Sequence, residues 1–236
     1  MTGATGALGS HLAKGLAEAG AEVVLVSRTR ETLDALAREI TAAGGKAHAI
    51  PADLGSTADV ERVCAEAWAL KGKVDVLLHN ATPSQERGRG IAEISEAEWR
   101  QQWDVIYGSA FTFLRNLGPR MVAAGGGSVI TVTSSTGMIP QKGHLAYGMA
   151  KGALMLLTKY AAQEFGPAVR ANCIMPGTID TTGTMAQHPI AQGILPRISL
   201  GRFGRNEECV GATIFLASPA SSYISGQVYF IDGGRF

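Results

Sequence analysis

MTGATGALGS, residues 1–10, opens the chain on a glycine-rich turn with almost nothing in front of it. Glycines at 3, 6 and 9 let the backbone turn tightly and approach a pyrophosphate with no Cβ in the way. The helix that follows would aim its positive N-terminal end at the same charge. Such a loop normally ends a buried strand. Only Met1 and Thr2 precede Gly3, so the strand that should deliver the loop is expected to be missing from the numbered chain, through trimming relative to the natural protein. The alternative is that another segment fills its slot. An empty slot in mid-sheet would cost its two neighbours a ladder of hydrogen bonds.

Outward from the loop, apolar runs of strand length alternate with stretches of helical period. The strand candidates are 22–27, 46–51, 74–79, 128–133, 169–175 and 227–231, and the helix candidates are 7–19, 30–43, 57–71, 96–124, 145–165 and 206–217. This order predicts an α/β fold, a doubly wound parallel sheet of Rossmann-like type, as a single domain over 1–236. The irregular stretches 80–95 and 177–203 follow strand C-termini, where open α/β sheets bind ligands.

At 236 residues, 46% hydrophobic and 17% charged, the chain is long enough for one substantial core. A formal charge of +1 gives no electrostatic reason to expect nucleic acid or a membrane surface as partner. No membrane span or signal peptide is read, and the expected location is cytoplasmic. Cys64, Cys173 and Cys209 are odd in number and far apart, hence packing residues, and the five histidines show no metal-binding spacing. No metal is expected.

The strand at 22–27 ends in Ser27 and Arg28, where a carboxylate for an adenosine 2′-hydroxyl would stand. An arginine fork suits a 2′-phosphate instead, which points to NADP(H) over NAD(H). The bland reading of Arg28 and Arg30 is a pair of solvated charges. Tyr147 and Lys151 are four residues apart at the start of a helical stretch, so both project from one face. A neighbouring ammonium favours the phenolate and turns a poor acid into a usable one. Ser134, directly after the 128–133 run, brings a hydroxyl to the same edge of the sheet.

With these residues in place the chain resembles a short-chain dehydrogenase/reductase of the compact type over essentially its whole length. TGATGALG is similar to that family's TGxxxGxG loop, with Ala7 at the middle glycine. HNAT at 79–82 stands where the family writes NNAG, PADL at 51–54 resembles its adenine-contacting segment, and PGTIDT at 176–181 resembles PGxIxT. Ser134 lies thirteen residues before Tyr147, the family spacing. The resemblance implies Ser134, Tyr147 and Lys151 as catalytic residues. It implies cofactor contacts from Gly3, Thr5, Gly6, Leu8 and Gly9 of the loop, from Ser27, Arg28, Asp53 and Leu54, from Asn80 and Ala81, and from Tyr147 and Lys151. Pro176, Gly177, Ile179 and Thr181 complete the set, with Thr178 and Ile179 facing the carboxamide. Ser134 would hold the substrate oxygen, Tyr147 would pass it a proton, and Lys151 would bind the ribose. One departure is Ile106, where the family usually places an asparagine whose water links the lysine to solvent. Tyr107 and Ser109 are weak substitutes.

A lid is expected over 182–200, carrying Met185, Ile190, Ile194 and Leu195, with Met138 and Ile139 as apolar wall. These residues equally suit plain packing onto the core. Arg87, Arg89 and Arg197 suit either an acidic substrate or solvent. Apolar residues on several faces of 96–124 and 145–165 predict a homodimer or homotetramer. Three readings of function follow: an NADP-dependent carbonyl or secondary-alcohol oxidoreductase acting on a small, largely apolar molecule; a reductase of activated carbon–carbon double bonds; and a catalytically weak dinucleotide-binding sensor or scaffold.

Overall fold

The computed structural model describes residues 1–83, 89–189 and 191–235. The first half runs α1 (Ala7–Glu18), β1 (Glu22–Ser27), α2 (Arg30–Ala42), β2 (Lys46–Pro51), α3 (Thr57–Lys71) and β3 (Val76–His79). The second half runs α4 (Glu96–Trp103), α5 (Ser109–Ala123), β4 (Gly127–Val132), α6 (Leu145–Glu164), β5 (Val169–Pro176), the short α7 (Ala191–Ile194), α8 (Val210–Ala217) and β6 (Val228–Ile231). Local chemistry sets several of these ends. Ser56 accepts the Asp59 N–H at the start of α3, Gly72 closes it in the left-handed region at φ 69°, and Ser95 with Glu98 forms a reciprocal cap on α4.

Every strand pairing is parallel. β1 pairs with β2, and β3, β4, β5 and β6 form a continuous ladder in that order. Because side chains alternate across a strand, Leu77, Val129 and Ala171 pack under α3 and α5, while Leu78, Ile130 and Ile174 pack against α1 and α8. Helices thus cover both faces, and the two cores are mostly branched aliphatic.

Between β1 and β3 the described residues supply no strand. Met1 and Thr2 bridge the top of the gap: Val26 N–H donates to the Met1 carbonyl at 2.9 Å and Thr2 N–H to the Leu78 carbonyl at 3.0 Å. The terminal ammonium of Met1 donates to the Val24 carbonyl at 2.6 Å, and burial brings its pKa down to about 5. Beneath lies an apolar cavity of about 670 Å³ lined by residues such as Val24, Val63, Val76, Phe113 and Ile214. The strand at 22–27 is therefore not paired with the one ending at His79, and no other described segment runs through the slot.

The helix expected over 96–124 is present over 96–123 and carries one π-turn, Asp104–Gly108, between α4 and α5. Such wide turns arise where an outside partner enters the backbone ladder. Here the His79 imidazole bonds the Ile106 carbonyl at 3.1 Å. The 206–217 stretch likewise opens with a 3₁₀ turn at Asn206–Cys209 before α8 begins.

Candidate active site

A cleft of about 1010 Å³ opens at the carboxyl ends of the strands. Its floor at one end is the loop quoted at the outset. Gly3 adopts φ +62°, and a Cβ there would stand 2.8 Å from Ala81 Cα. A Cβ on Gly9 would run into the Gly3 carbonyl oxygen. The loop is thus a tight packing solution that only glycine satisfies. Gly6 caps α1 with no side-chain hydrogen bond, and the first turn carries no acid. Gly3, Thr5, Gly6, Leu8 and Gly9 all line the cleft, so uncapped N–H groups at the positive end of a helix face the space where a pyrophosphate fits.

Next to the loop, Thr5 Oγ1 and Ser27 Oγ share a 2.7 Å hydrogen bond. Arg28 is exposed on the rim of the cleft. Asp53 and Leu54 form the adjoining wall. The Asp53 carboxylate accepts from Gly55 N–H at 3.0 Å, and the Asp53 N–H donates to Asp59, which that bond and Arg62 hold below the usual carboxylate range. Asn80 donates from Nδ2 to the Gly3 carbonyl at 3.1 Å, so it braces the loop from β3 while Ala81 packs under it.

At the other end β4 delivers Ser134 and the first turns of α6 deliver Tyr147 and Lys151, all three lining the same cleft. Ser134 Oγ accepts the Thr136 hydroxyl at 3.0 Å and the Thr136 N–H at 3.3 Å, which leaves its own proton free to donate. Tyr147 is half-buried, whereas Lys151 is 2% exposed. The Lys151 ammonium donates to the Val132 carbonyl at 2.7 Å and lies 5.7 Å from the centre of the Tyr147 ring. Burial lowers its pKa to about 7 from the usual 10.5. Pro176, Gly177, Ile179 and Thr181 close the cleft after β5. Thr178 stands apart from that lining and accepts a 2.6 Å hydrogen bond from Arg235.

Several residues of the site carry no signal in the helical and strand periodicities. Gln101, Asp104 and Val105 reach the cleft at the end of α4 and in the π-turn that follows. Thr2 and His79 are buried nodes behind the loop. Thr136 had a sequence signal, its place two residues after Ser134 in a run of hydroxyls.

Ile106 is fully buried, packed with Ala110, Ala150 and Leu154 and against Tyr147. Neither weak substitute replaces an asparagine there: Tyr107 packs on the Trp103 ring at 4.9 Å, and Ser109 donates to the Val105 carbonyl at 2.7 Å. In the segment beyond β5, Ala191, Ile198 and Phe203 form a cluster of their own with Met185, Ile194 and Leu195. Its apolar residues thus pack on one another. Arg89 pairs with Glu98 at 3.0 Å; Arg87 and Ile190 lie outside the described residues. Phe111, Val122, Met149, Leu156 and Tyr160 on α5 and α6 remain exposed.

The three cysteines are free and buried, and burial pushes Cys64 and Cys209 up to about 12. Among the described residues no cluster of histidine, cysteine and acids is placed to hold a metal, and no helix is long and apolar enough to cross a membrane.

Comparison with known proteins agrees with this geometry. Residues 3–235 match the family model described as enoyl-(acyl carrier protein) reductase. Gluconate 5-dehydrogenase of Gluconobacter oxydans is 33% identical over 99% of this chain and 92% of its own. The 3-oxoacyl-[acyl-carrier-protein] reductase of Aquifex aeolicus is 31% identical over 100% of this chain and 96% of its own. Among solved structures, one described as a putative NAD(P)-dependent gluconate 5-dehydrogenase from Beutenbergia cavernae with bound NADP superposes with a TM-score of 0.92. It is 36% identical, with 99% of this chain and 94% of that one covered. A short-chain type dehydrogenase/reductase from Mycobacterium marinum gives 0.90 at 33% identity, covering 100% and 93%. The chain belongs to the short-chain dehydrogenase/reductase family and is a nicotinamide-dependent oxidoreductase that works between CH–OH and C=O.

Proposed function

We propose that this enzyme uses NADP(H) in preference to NAD(H) to interconvert a ketone and a secondary alcohol on a small, largely apolar molecule, with Ser134, Tyr147 and Lys151 as the catalytic residues. One observation carries the reading: a buried ammonium lies against the face of a half-buried phenol, in the same cleft as a serine hydroxyl whose oxygen is already saturated with donors.

The cofactor fits what is present. The uncapped first turn of α1 and Gly3, Gly6 and Gly9 would hold the pyrophosphate, Asn80 and Ala81 would back the adjoining ribose, and Pro176, Gly177, Ile179 and Thr181 would face the nicotinamide side. When bound, the dihydronicotinamide supplies a hydride. Ser134 donates its free proton to the substrate oxygen and fixes its position. Tyr147 gives that oxygen a proton as negative charge gathers on it. Lys151, held by the Val132 carbonyl, favours the phenolate left on Tyr147 and would donate to the ribose hydroxyls of the bound cofactor. Donors and a charge fixed in advance where the oxyanion forms supply the largest part of such catalysis.

Arg28 supports the 2′-phosphate: it stands exposed at the end of β1 and lines the cleft. The NADP in the Beutenbergia relative is consistent with this. Met138 and Ile139, shortly after Ser134 in the chain, are each about half exposed and would offer apolar surface to a substrate. Buried free thiols suit a cytoplasmic setting.

A second reading, reduction of an activated double bond, is favoured by the description of the matched family model. The test is NADPH oxidation over a panel of ketones, quinones and enones, with Tyr147→Phe as control. Turnover of ketones, lost by about 10²–10⁴-fold in the control while NADPH still binds, is the expected result. Turnover of enones alone would favour the second reading. Activity unchanged in the Phe variant would refute the catalytic assignment, and binding without any turnover would make the protein a sensor or scaffold.

A further inference from the structure

Behind the cleft runs a chain of buried groups with no part in the chemistry above. Thr2 and His79 are each 1% exposed and Ile106 is fully buried. His79 Nδ1 is 3.1 Å from the Thr2 hydroxyl, and its Nε2 is 3.1 Å from the backbone carbonyl of Ile106. A carbonyl only accepts, so Nε2 carries the proton and Nδ1 accepts from Thr2. The Thr2 oxygen then has two lone pairs left, and they take the N–H groups of Asn80 and Ala81, both at 3.1 Å. Every link has one donor and one acceptor. Burial, with the charge of Lys151 nearby, lowers the imidazole pKa to about 3, so the ring is neutral at working pH.

The links join three parts whose relative placement matters for hydride transfer. One is the start of the glycine loop, the second is the end of β3 with Asn80 and Ala81, and the third is the π-turn between α4 and α5. Ile106 sits in that turn with its carbonyl held by His79 and its side chain in a buried cluster with Ala110 and with Ala150 and Leu154 of α6, against which Tyr147 packs. Because the isoleucine side chain has no polar atom, position 106 cannot anchor itself to the cofactor wall by hydrogen bonding. The anchor comes from the strand.

We propose, resting on the catalytic reading above, that His79 is a positioning residue: by donating from Nε2 to the Ile106 carbonyl it fixes the spacing between the dinucleotide loop and the helix that carries Tyr147 and Lys151. Two half-replacements separate this role from simple packing. In His79→Gln the amide nitrogen has the reach of Nε2 and keeps the donation to Ile106. In His79→Asn the amide oxygen has the reach of Nδ1 and keeps the acceptor for Thr2, while the Ile106 carbonyl loses its donor. We expect kcat of His79→Gln to stay within about threefold of the parent and that of His79→Asn to fall about tenfold or more, both binding NADPH with Kd within about twofold.

Equal losses in the two variants that track their loss of Tm would overturn the proposal, as would full activity in His79→Asn. Should either variant fail to fold, ¹⁵N NMR of the imidazole in the unmutated protein still decides. The expected spectrum is an Nε2–H tautomer from pH 5 to 9, and an Nδ1–H tautomer or a protonated ring would overturn the assignment. If instead Tyr147→Phe keeps full turnover, the catalytic reading has failed, and that result is independent of either His79 variant.

Discussion

Lys151 makes cofactor binding a proton-linked event with a sign and a pH window. Its ammonium is buried and donates to the Val132 carbonyl at 2.7 Å, and burial lowers its pKa to about 7. A group whose folded pKa lies below its unfolded value binds fewer protons folded than unfolded between the two. Its burial therefore costs the free protein stability below pH 7, and that cost is relieved as pH rises from about 7 towards 10.5. In the proposed complex the ammonium meets ribose hydroxyls and an anionic ligand, both of which favour its charged form. At pH 8, where the 2′-phosphate is already a dianion, a site with pKa about 7 is only about one-tenth protonated, so NADP⁺ binding should take up about 0.9 proton there. The affinity should accordingly fall close to tenfold per unit above pH 8. His79 at about 3, the Met1 amine at about 5 and Cys64 and Cys209 at about 12 titrate outside this window. Calorimetric titration at pH 8 in two buffers of different ionisation heat reads the uptake directly, and Lys151→Met should abolish it. An uptake near zero at pH 8, or an equal slope in the Met variant, would refute the reasoning.

Three further outcomes follow from the same geometry. Arg28→Ala should weaken NADPH by about 10- to 100-fold, the value of a charge-assisted hydrogen bond to phosphate, and leave NADH within about twofold, as measured by fluorescence titration. Gly9→Ala drives a Cβ into the Gly3 carbonyl oxygen and should destabilise the protein by about 1–3 kcal/mol in urea unfolding while weakening cofactor binding in the folded fraction. The exposed apolar side chains Phe111 and Leu156 lie on α5 and α6, so the protein should sediment as a dimer or tetramer and Leu156→Asp should shift it towards monomer; a monomeric parent at micromolar concentration would contradict this.

The alternation of apolar runs and helical periods determined the parallel, doubly wound architecture, because burial on both faces of a sheet requires strands that are apolar throughout. The loop was legible at Gly3 and Gly9 for a similar reason: a backbone that approaches itself so closely excludes every side chain, and that exclusion is written as residue type. The pairing of Tyr147 with Lys151 was legible because helical spacing puts them on one face. What the sequence left open was settled by contacts between distant segments. A helical period over 96–124 carries no mark of the π-turn at Asp104–Gly108, since the Ile106 carbonyl is bonded by a histidine 27 residues earlier in the chain. The burial that brings Lys151 to about 7 depends on β4 beneath it, and the edge at which Asp104 and Val105 meet the cleft depends on that same turn. Periodicity and residue type report local geometry; which atoms face one another across the sheet is decided only when the strands are laid side by side.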